Sequence, residues 1–314
     1  MITGRWIGYR YRRGLNTGEV TDVVAVDEKL PLEEVPEDEL LPPSVDVVEA
    51  VFTAYALTDH RRPCPPGYSI GHVDVTAGTL GAWVRTENGD VVALSNNHVL
   101  ANSNKGLIGD MIVQPGRADD PGLQPFGTLY DFVPVIFQDK KKLAGAWWKL
   151  WKGIANVGAR LVGCDYRLVV IRQSQNLVDA ALCEPDDPAY VDATFPFGEV
   201  VGMKPLVLGD PVMKVGRTTE MTFGTVEGIN AAISVQYGSQ IAEFEDQVII
   251  RGVDGVGFSA GGDSGSAIVT DHALGGLLFA GGNGITVANR IEYVQTLLGI
   301  EGVVAAPVLA YSPS

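Results

Sequence analysis

The stretch Thr79-Leu80-Gly81-Ala82-Trp83-Val84-Arg85, followed by Asn88-Gly89 and then Val91-Val92-Ala93-Leu94-Ser95, reads as strand, turn, strand. Asn and Gly both tolerate positive φ, so Asn88-Gly89 is a strong hairpin signal between two apolar runs. Working outward, further strands are predicted at Met111 to Gln114, Phe126 to Phe132, Arg167 to Ile171, Asp179 to Cys183 and Pro211 to Val215. Others follow at Phe223 to Ile229, Ala232 to Tyr237, Gln247 to Arg251, Ser266 to Val269, Gly276 to Ala280 and Thr286 to Asn289. Short runs at close spacing, with turn residues between them, predict an all-β barrel or sandwich. Ile291 to Leu298 reads as a closing C-terminal helix.

Bulk properties fit this picture. Hydrophobic residues make up 46% of the chain and charged residues 19%, and the 38 glycines supply the turns. The net charge of −15 gives no electrostatic reason to bind a polyanion, which argues against a nucleic-acid role. Three cysteines (Cys64, Cys164 and Cys183) without a CxxC spacing argue against a structural zinc site or a disulfide framework. The opening Met-Ile-Thr-Gly-Arg-Trp-Ile-Gly lacks the layout of a secretory signal. No apolar run approaches the roughly 20 residues that span a bilayer. The expectation is a reducing, cytoplasmic environment.

Residues 1–66 differ in composition from the rest. Val20 to Val26 reads as a strand, Asp27 to Pro43 is acidic and Pro-punctuated, and Val45 to Tyr55 alternates. This predicts a small N-terminal α+β or hairpin extension. It ends in the stiff linker Arg61-Arg62-Pro63-Cys64-Pro65-Pro66-Gly67. One segment interrupts the β texture. Lys140 to Val157 sets Leu143, Trp147, Leu150, Trp151 and Ile154 at helical spacing. It reads as an insertion helix packed on the body or on a sister subunit. A basic, Trp-rich interfacial helix is the alternative.

Chemistry concentrates at Gly261-Gly262-Asp263-Ser264-Gly265-Ser266. A serine hydroxyl is a poor nucleophile unless it is sharply presented and a base takes its proton. Flanking glycines permit a tight turn and close approach of a substrate. The same turn can aim the Gly262 and Ser264 amides at one point as an oxyanion hole. Four histidines are available as the base: His60, His72, His98 and His272. His98 stands apart, because it follows the apolar strand Val91 to Ser95 and is held rigidly at its end. The base needs a carboxylate to fix its tautomer. Asp179 opens the apolar Asp179-Ala180-Ala181-Leu182, where a charge costs free energy unless paired. Asp165 is the second candidate.

These elements, in the order His, Asp, Ser, resemble trypsin-like (chymotrypsin-fold) serine peptidases. Ser95-Asn96-Asn97-His98 resembles the family's Thr-Ala-Ala-His element, and Asp179-Ala180-Ala181-Leu182 its Asp-Ile-Ala-Leu element. Gly262-Asp263-Ser264-Gly265 is identical to the nucleophile motif. Val215-Gly216-Arg217-Thr218-Thr219, followed by Gly224-Thr225-Val226, resembles the start of the second barrel in bacterial and phage members. The resemblance covers roughly Gly78 to Leu298. It implies a mainly β fold of two chymotrypsin-like antiparallel barrels, at about 71–190 and 200–290 within a domain spanning 67–300, followed by a tail at 301–314.

The resemblance also implies a serine endopeptidase with His98, Asp179 and Ser264 as catalytic residues and no metal or organic cofactor. It leaves a peptide-binding scaffold, a self-processing protease and an esterase as alternatives. The expected partner is a peptide or protein substrate, without nucleic acid or membrane contact, and a homo-oligomer stays open. No Ile-Val-Gly-Gly activation site is visible, so Asp263 needs a partner other than a freed N-terminus. Phe258 lies six residues before Ser264, where the family places the base of its first specificity pocket. An apolar residue there predicts small or apolar P1 side chains.

Overall fold

The computed structural model describes residues 2–12, 15–26, 46–49, 57–138, 176–255 and 257–305. The chain divides into two units, Met1–Ala56 and Leu57–Ser314. In the first, β1 (Ile2–Arg12) pairs antiparallel with β2 (Leu15–Val26), and β3 (Asp46–Glu49) lies parallel to β2. The predicted strand Val20 to Val26 is the second half of β2. β1 is not among the predicted strands, although Tyr9 and Tyr11 alternating with Arg10 and Arg12 is a period-two signal. The acidic stretch Asp27 to Pro43, the Lys140 to Val157 helix, the Arg167 to Ile171 strand, Cys164 and Asp165 lie outside the described residues.

The second unit contains two curled sheets. The first uses β4 (Ser69–His72), β5 (Gly78–Thr79), β6 (Ala82–Thr86), β7 (Val91–Ser95), β8 (Met111–Val113), β9 (Pro125–Phe132), β10 (Ala181–Pro185) and the chain's last strand, β18 (Ile300–Val303). Their order is β18-β6-β7-β10-β9-β8-β4-β5. Because β5 runs on directly into β6, the sheet returns upon itself. The second sheet uses β11 (Gly202–Met203), β12 (Pro211–Gly216), β13 (Glu220–Tyr237), β14 (Gln240–Gly252), β15 (Ala267–Thr270), β16 (Ala273–Gly282) and β17 (Ile285–Arg290). Its order is β11-β16-β15-β12-β13-β14-β17, and β16 also pairs with β17. That pairing closes six strands into a ring and removes their free edges. Among the described residues, two short α-helices accompany the sheets, α1 (Asn97–Leu100) after β7 and α2 (Ile291–Leu297) after β17. This is the chymotrypsin-like two-barrel architecture. Among the described residues, no helix is long and apolar enough to cross a membrane.

Alternating strands fill both interiors. Trp83, Leu94, Ile112, Phe126 and Leu182 are buried in the first barrel. Each such side chain contributes about 1.5–3 kcal/mol on leaving water. Val212, Val226, Val248, Ile250 and Ile268 fill the second. The Trp83 indole N–H donates to the Cys64 carbonyl at 2.9 Å, so the core's largest side chain keeps its polar atom satisfied. Cys64 and Cys183 are both buried free thiols. Burial pushes Cys64 up to about 12 and Cys183 well above the ordinary thiol range, so neither is a nucleophile at neutral pH.

Each barrel enters its strand β8 or β12 through the same turn. In Leu107-Ile108-Gly109-Asp110, the Leu107 N–H donates to Asp110 Oδ2 at 2.7 Å and the Asp110 N–H returns to the Leu107 carbonyl at 2.9 Å. In Val207-Leu208-Gly209-Asp210 the matching distances are 2.9 and 3.1 Å. The side-chain bond satisfies an N–H that the strand cannot reach.

The predicted strands Phe223 to Ile229 and Ala232 to Tyr237 are one long strand. Within β13 the register shifts between Val226 and Gly228, again by Ala231, and again by Ile233. Asn230 sits there with φ +56°. Bulges of this kind bend a strand without ending it. The far half of the β13–β14 hairpin leaves the barrel interior. It forms a separate apolar cluster through Ala242 and Phe244 with Val135, Phe279 and Val287.

Candidate active site

β7 ends at Ser95, whose hydroxyl donates to the Thr79 carbonyl at 2.7 Å, and α1 carries the next residues round one turn. Asn97 fixes that turn by donating to the Val133 carbonyl and to Asn104 Oδ1, both at 2.8 Å. His98 is therefore held by a short, braced helix. Its ring Nδ1 lies 2.7 Å from Asp179 Oδ2, and its backbone N–H donates to Asp179 Oδ1 at 3.2 Å. Both carboxylate oxygens thus engage one residue, which fixes the plane of the carboxylate. With Nδ1 turned to the carboxylate, Nε2 is the nitrogen left for other chemistry.

Asp179 lies just before β10 and is fully buried. Its N–H donates to Asn289 Oδ1 at 3.0 Å, and its carbonyl accepts from Asn96 Nδ2 at 2.7 Å. Asn289 belongs to β17, so the second barrel helps to seat a residue of the first. The Tyr237 hydroxyl also donates to Asp179 Oδ2, at 2.6 Å. Burial alone pushes this carboxyl up. The adjacent His98 ring and the donors from His98 and Tyr237 outweigh burial and hold it below the usual carboxylate range.

Ser264 lies on the loop before β15. The neighbouring glycines have φ +101° at Gly262 and +97° at Gly265. A Cβ at Gly265 would fall 2.2 Å from both Ser95 Oγ and the Thr79 carbonyl, so only glycine fits this crossing of the two barrels. The loop is stitched to the first barrel where the Thr79 N–H donates to the Ser264 carbonyl at 2.8 Å and Thr79 Oγ1 donates to the Gly262 carbonyl at 2.9 Å. Among the described residues, neither the Gly262 nor the Ser264 N–H donates to a backbone acceptor. A loop with two such N–H groups on either side of one position can receive an anionic oxygen.

Asp263 has its partner inside the second barrel. Its Oδ1 accepts from the Thr218 and Thr219 N–H groups at 2.9 and 3.1 Å, and its Oδ2 accepts from the Ala260 N–H at 2.9 Å. Lys214 Nζ lies 3.4 Å from Oδ2, and neither side chain is exposed. Burial lowers the lysine's pKa, and the charge of Asp263 opposes that. Lys214 was absent from the sequence-predicted site. Its signal was the strand Val212-Met213-Lys214-Val215, where period-two alternation puts an inward lysine beside inward Val212. Lys214→Met is expected to lower the unfolding free energy by about 3–5 kcal/mol, because it strands a buried carboxylate. A urea midpoint equal to that of the parent chain would refute this role.

A cavity of about 730 Å³ joins the parts. His98, Ser264 and Tyr237 line it, with walls from Phe258 to Gly261, Leu278 to Gly282 and Gly284 to Thr286. Of the four histidines, His98 is the one on this cavity. His72 is instead buried beside Asp110, with its Nδ1 accepting the Asp74 N–H at 3.0 Å. The Phe258 ring is 1% exposed and packs with Val226, Ile250 and Leu278 in the second barrel's core. The Phe258 carbonyl accepts from Thr222 Oγ1 at 2.7 Å. The hydroxyls of Ser259 and Thr286, 2.6 Å apart, belong to the cavity wall. Lone hydroxyls give no sequence signal that would single them out.

The two barrels with this cavity between their loops have the chymotrypsin-like fold. No protein-family model matches the chain, and none of the curated proteins matches it by sequence. Solved structures similar to it include a Nocardiopsis protease, with 14% identity and a TM-score of 0.46 over 76% of this chain and 98% of that one. Thermobifida fusca protease A shows 15% identity and a TM-score of 0.45, over 76% of this chain and 97% of the other. Cellulomonas bogoriensis chymotrypsin shows 14% identity and a TM-score of 0.46 over the same shares, 76% and 97%.

Proposed function

We propose that the chain is a serine endopeptidase in which Ser264 is the nucleophile, His98 the general base and Asp179 the group that orients the base. The observation that carries this reading is the 2.7 Å contact between His98 Nδ1 and a fully buried Asp179, with the same ring lining a cavity shared with Ser264. His98 Nε2 takes the hydroxyl proton as Ser264 Oγ bonds to the peptide carbonyl carbon. The carbonyl oxygen gains the charge and sits against the Gly262 and Ser264 N–H groups. The C–N bond then breaks as His98 gives its proton to the leaving amine. Water, deprotonated by His98, cleaves the acyl ester and restores Ser264. The chain should therefore react with a fluorophosphonate probe at Ser264, shown by peptide mapping, and a His98→Ala variant should not. Equal labelling of the two, or none in the parent chain, would sink the reading.

The same reading sets substrate preference. Among the described residues lining the cavity there is no Asp, Glu, Lys or Arg. Phe258 and Thr286 are both buried in that wall, and the half-buried Ser259, whose hydroxyl lies 2.6 Å from that of Thr286, is what a P1 side chain meets there. A pocket lined by neutral groups leaves a charged P1 group without a partner, at a cost of several kcal/mol where the group is desolvated. Small uncharged P1 residues are expected to exceed Arg, Lys, Asp and Glu by at least about 100-fold in kcat/KM. A peptide-library profile led by any charged P1 residue would overturn this.

A further inference from the structure

Tyr237 stands at the tip of the β13–β14 hairpin, 58 positions from Asp179 in sequence and in the other barrel's sheet. Its phenol nevertheless reaches the buried carboxylate. We infer that Tyr237 is a positioning residue for the base, fixing the carboxylate oxygen that holds His98. The inference rests on the function proposed above.

Three observations carry it. The first is geometry. Asp179 Oδ2 accepts two short bonds, from His98 Nδ1 at 2.7 Å and from the Tyr237 hydroxyl at 2.6 Å. With Oδ1 taken by the His98 N–H, the carboxylate cannot rotate without breaking a bond. The second is preorganisation. The Tyr237 ring packs edge-on against His98 at 5.7 Å and against Phe137 at 5.6 Å, and lies 6.3 Å from Phe244. The ring is thus placed by packing, and the hydroxyl bond adds little entropic cost. The third is charge state. Burial, followed by the charge of Asp179, pushes the phenol far above its ordinary range, so it stays a neutral donor.

Among the described residues, the titratable groups facing this carboxylate are His98, from α1, and Tyr237, from β13. The neighbouring Asn96 and Asn289 are neutral amides. A donor on Oδ2 spreads part of the carboxylate charge. Removing it leaves more charge facing the imidazole and favours the protonated ring. Tyr237 does not touch the reacting atoms, so its effect passes through Asp179.

Tyr237→Phe keeps the ring contacts and removes the donor. It is expected to lower kcat about 10- to 100-fold, a size set by one hydrogen bond to a charged group, with KM changed less than about twofold. The acidic limb of the kcat/KM profile should move upward by roughly one pH unit. A purely structural role for the hydroxyl would not move that limb. A second readout needs no turnover. The low-field proton resonance of the His98 Nδ1–H should shift between the parent chain and Tyr237→Phe. An unmoved limb together with an unmoved resonance overturns the inference. A parent chain that hydrolyses nothing overturns the proposed function, while the resonance still tests the bond. Should Tyr237→Phe not fold, fluorotyrosine placed at 237 strengthens the donor and should move the acidic limb downward. No movement there also overturns the inference.

Discussion

Ser264→Ala is expected to lower kcat for peptide hydrolysis by about 10⁶-fold while leaving the fold intact. The loop's anchoring explains why the two effects separate. Ser264 is tied to Thr79 through its carbonyl oxygen, and the turn is set by Gly262, Gly265 and the buried Asp263. None of these uses the Ser264 hydroxyl. Alanine therefore removes the nucleophile and little else, and unfolding free energy should stay within about 0.5 kcal/mol of the parent value. Progress curves on a protein substrate and a urea melt of the same preparation test both halves. Residual hydrolysis within about tenfold of the parent rate would mean that some other group attacks the carbonyl.

Asp179→Asn is expected to cost about 10⁴-fold in kcat. Oδ1 accepts the His98 N–H, so the amide oxygen of asparagine keeps that position and its NH2 replaces Oδ2. That NH2 then faces His98 Nδ1 and the Tyr237 hydroxyl, two atoms that both donate to the carboxylate. The imidazole relieves one clash by moving its proton to Nε2, where it can no longer accept from Ser264. The loss should therefore appear in kcat with little change in KM. Asp179→Ala makes a useful comparison, since it removes the carboxylate without imposing a tautomer. Full activity of Asp179→Asn at neutral pH would contradict the assigned role.

Much of the architecture is legible in local pattern. The runs Val91 to Ser95 and Phe126 to Phe132 are strands because apolar and β-branched residues sit between turn formers, and β7 and β9 lie where those runs lie. The hairpin at Asn88-Gly89 forms with Gly89 in the left-handed region at φ +92°. Register within β13 is less legible. A bulge at Asn230 looks like a strand end, since the sequence carries the turn residue but not the pairing that survives across it. The candidate site divides in the same way. His98 and Ser264 stand in short motifs, and Asp179 is conspicuous as an acid entering an apolar strand. Tyr237 carries no motif. Its partner depends on how far a bent hairpin reaches, which is a property of three dimensions. Phe258 shows the converse: its position along the chain points to the cavity, whose wall it joins, but its ring is buried in the second barrel's core, which position alone does not reveal.

The Asp263–Lys214 pair bears on when such a chain acquires its working shape. Both ions sit in one sheet and its own loop, so they meet as soon as that barrel closes. No cut end has to travel there and no second molecule has to deliver a charge. For the peptidase proposed above, the charge that anchors the residue next to the nucleophile is thus built into the folded barrel itself.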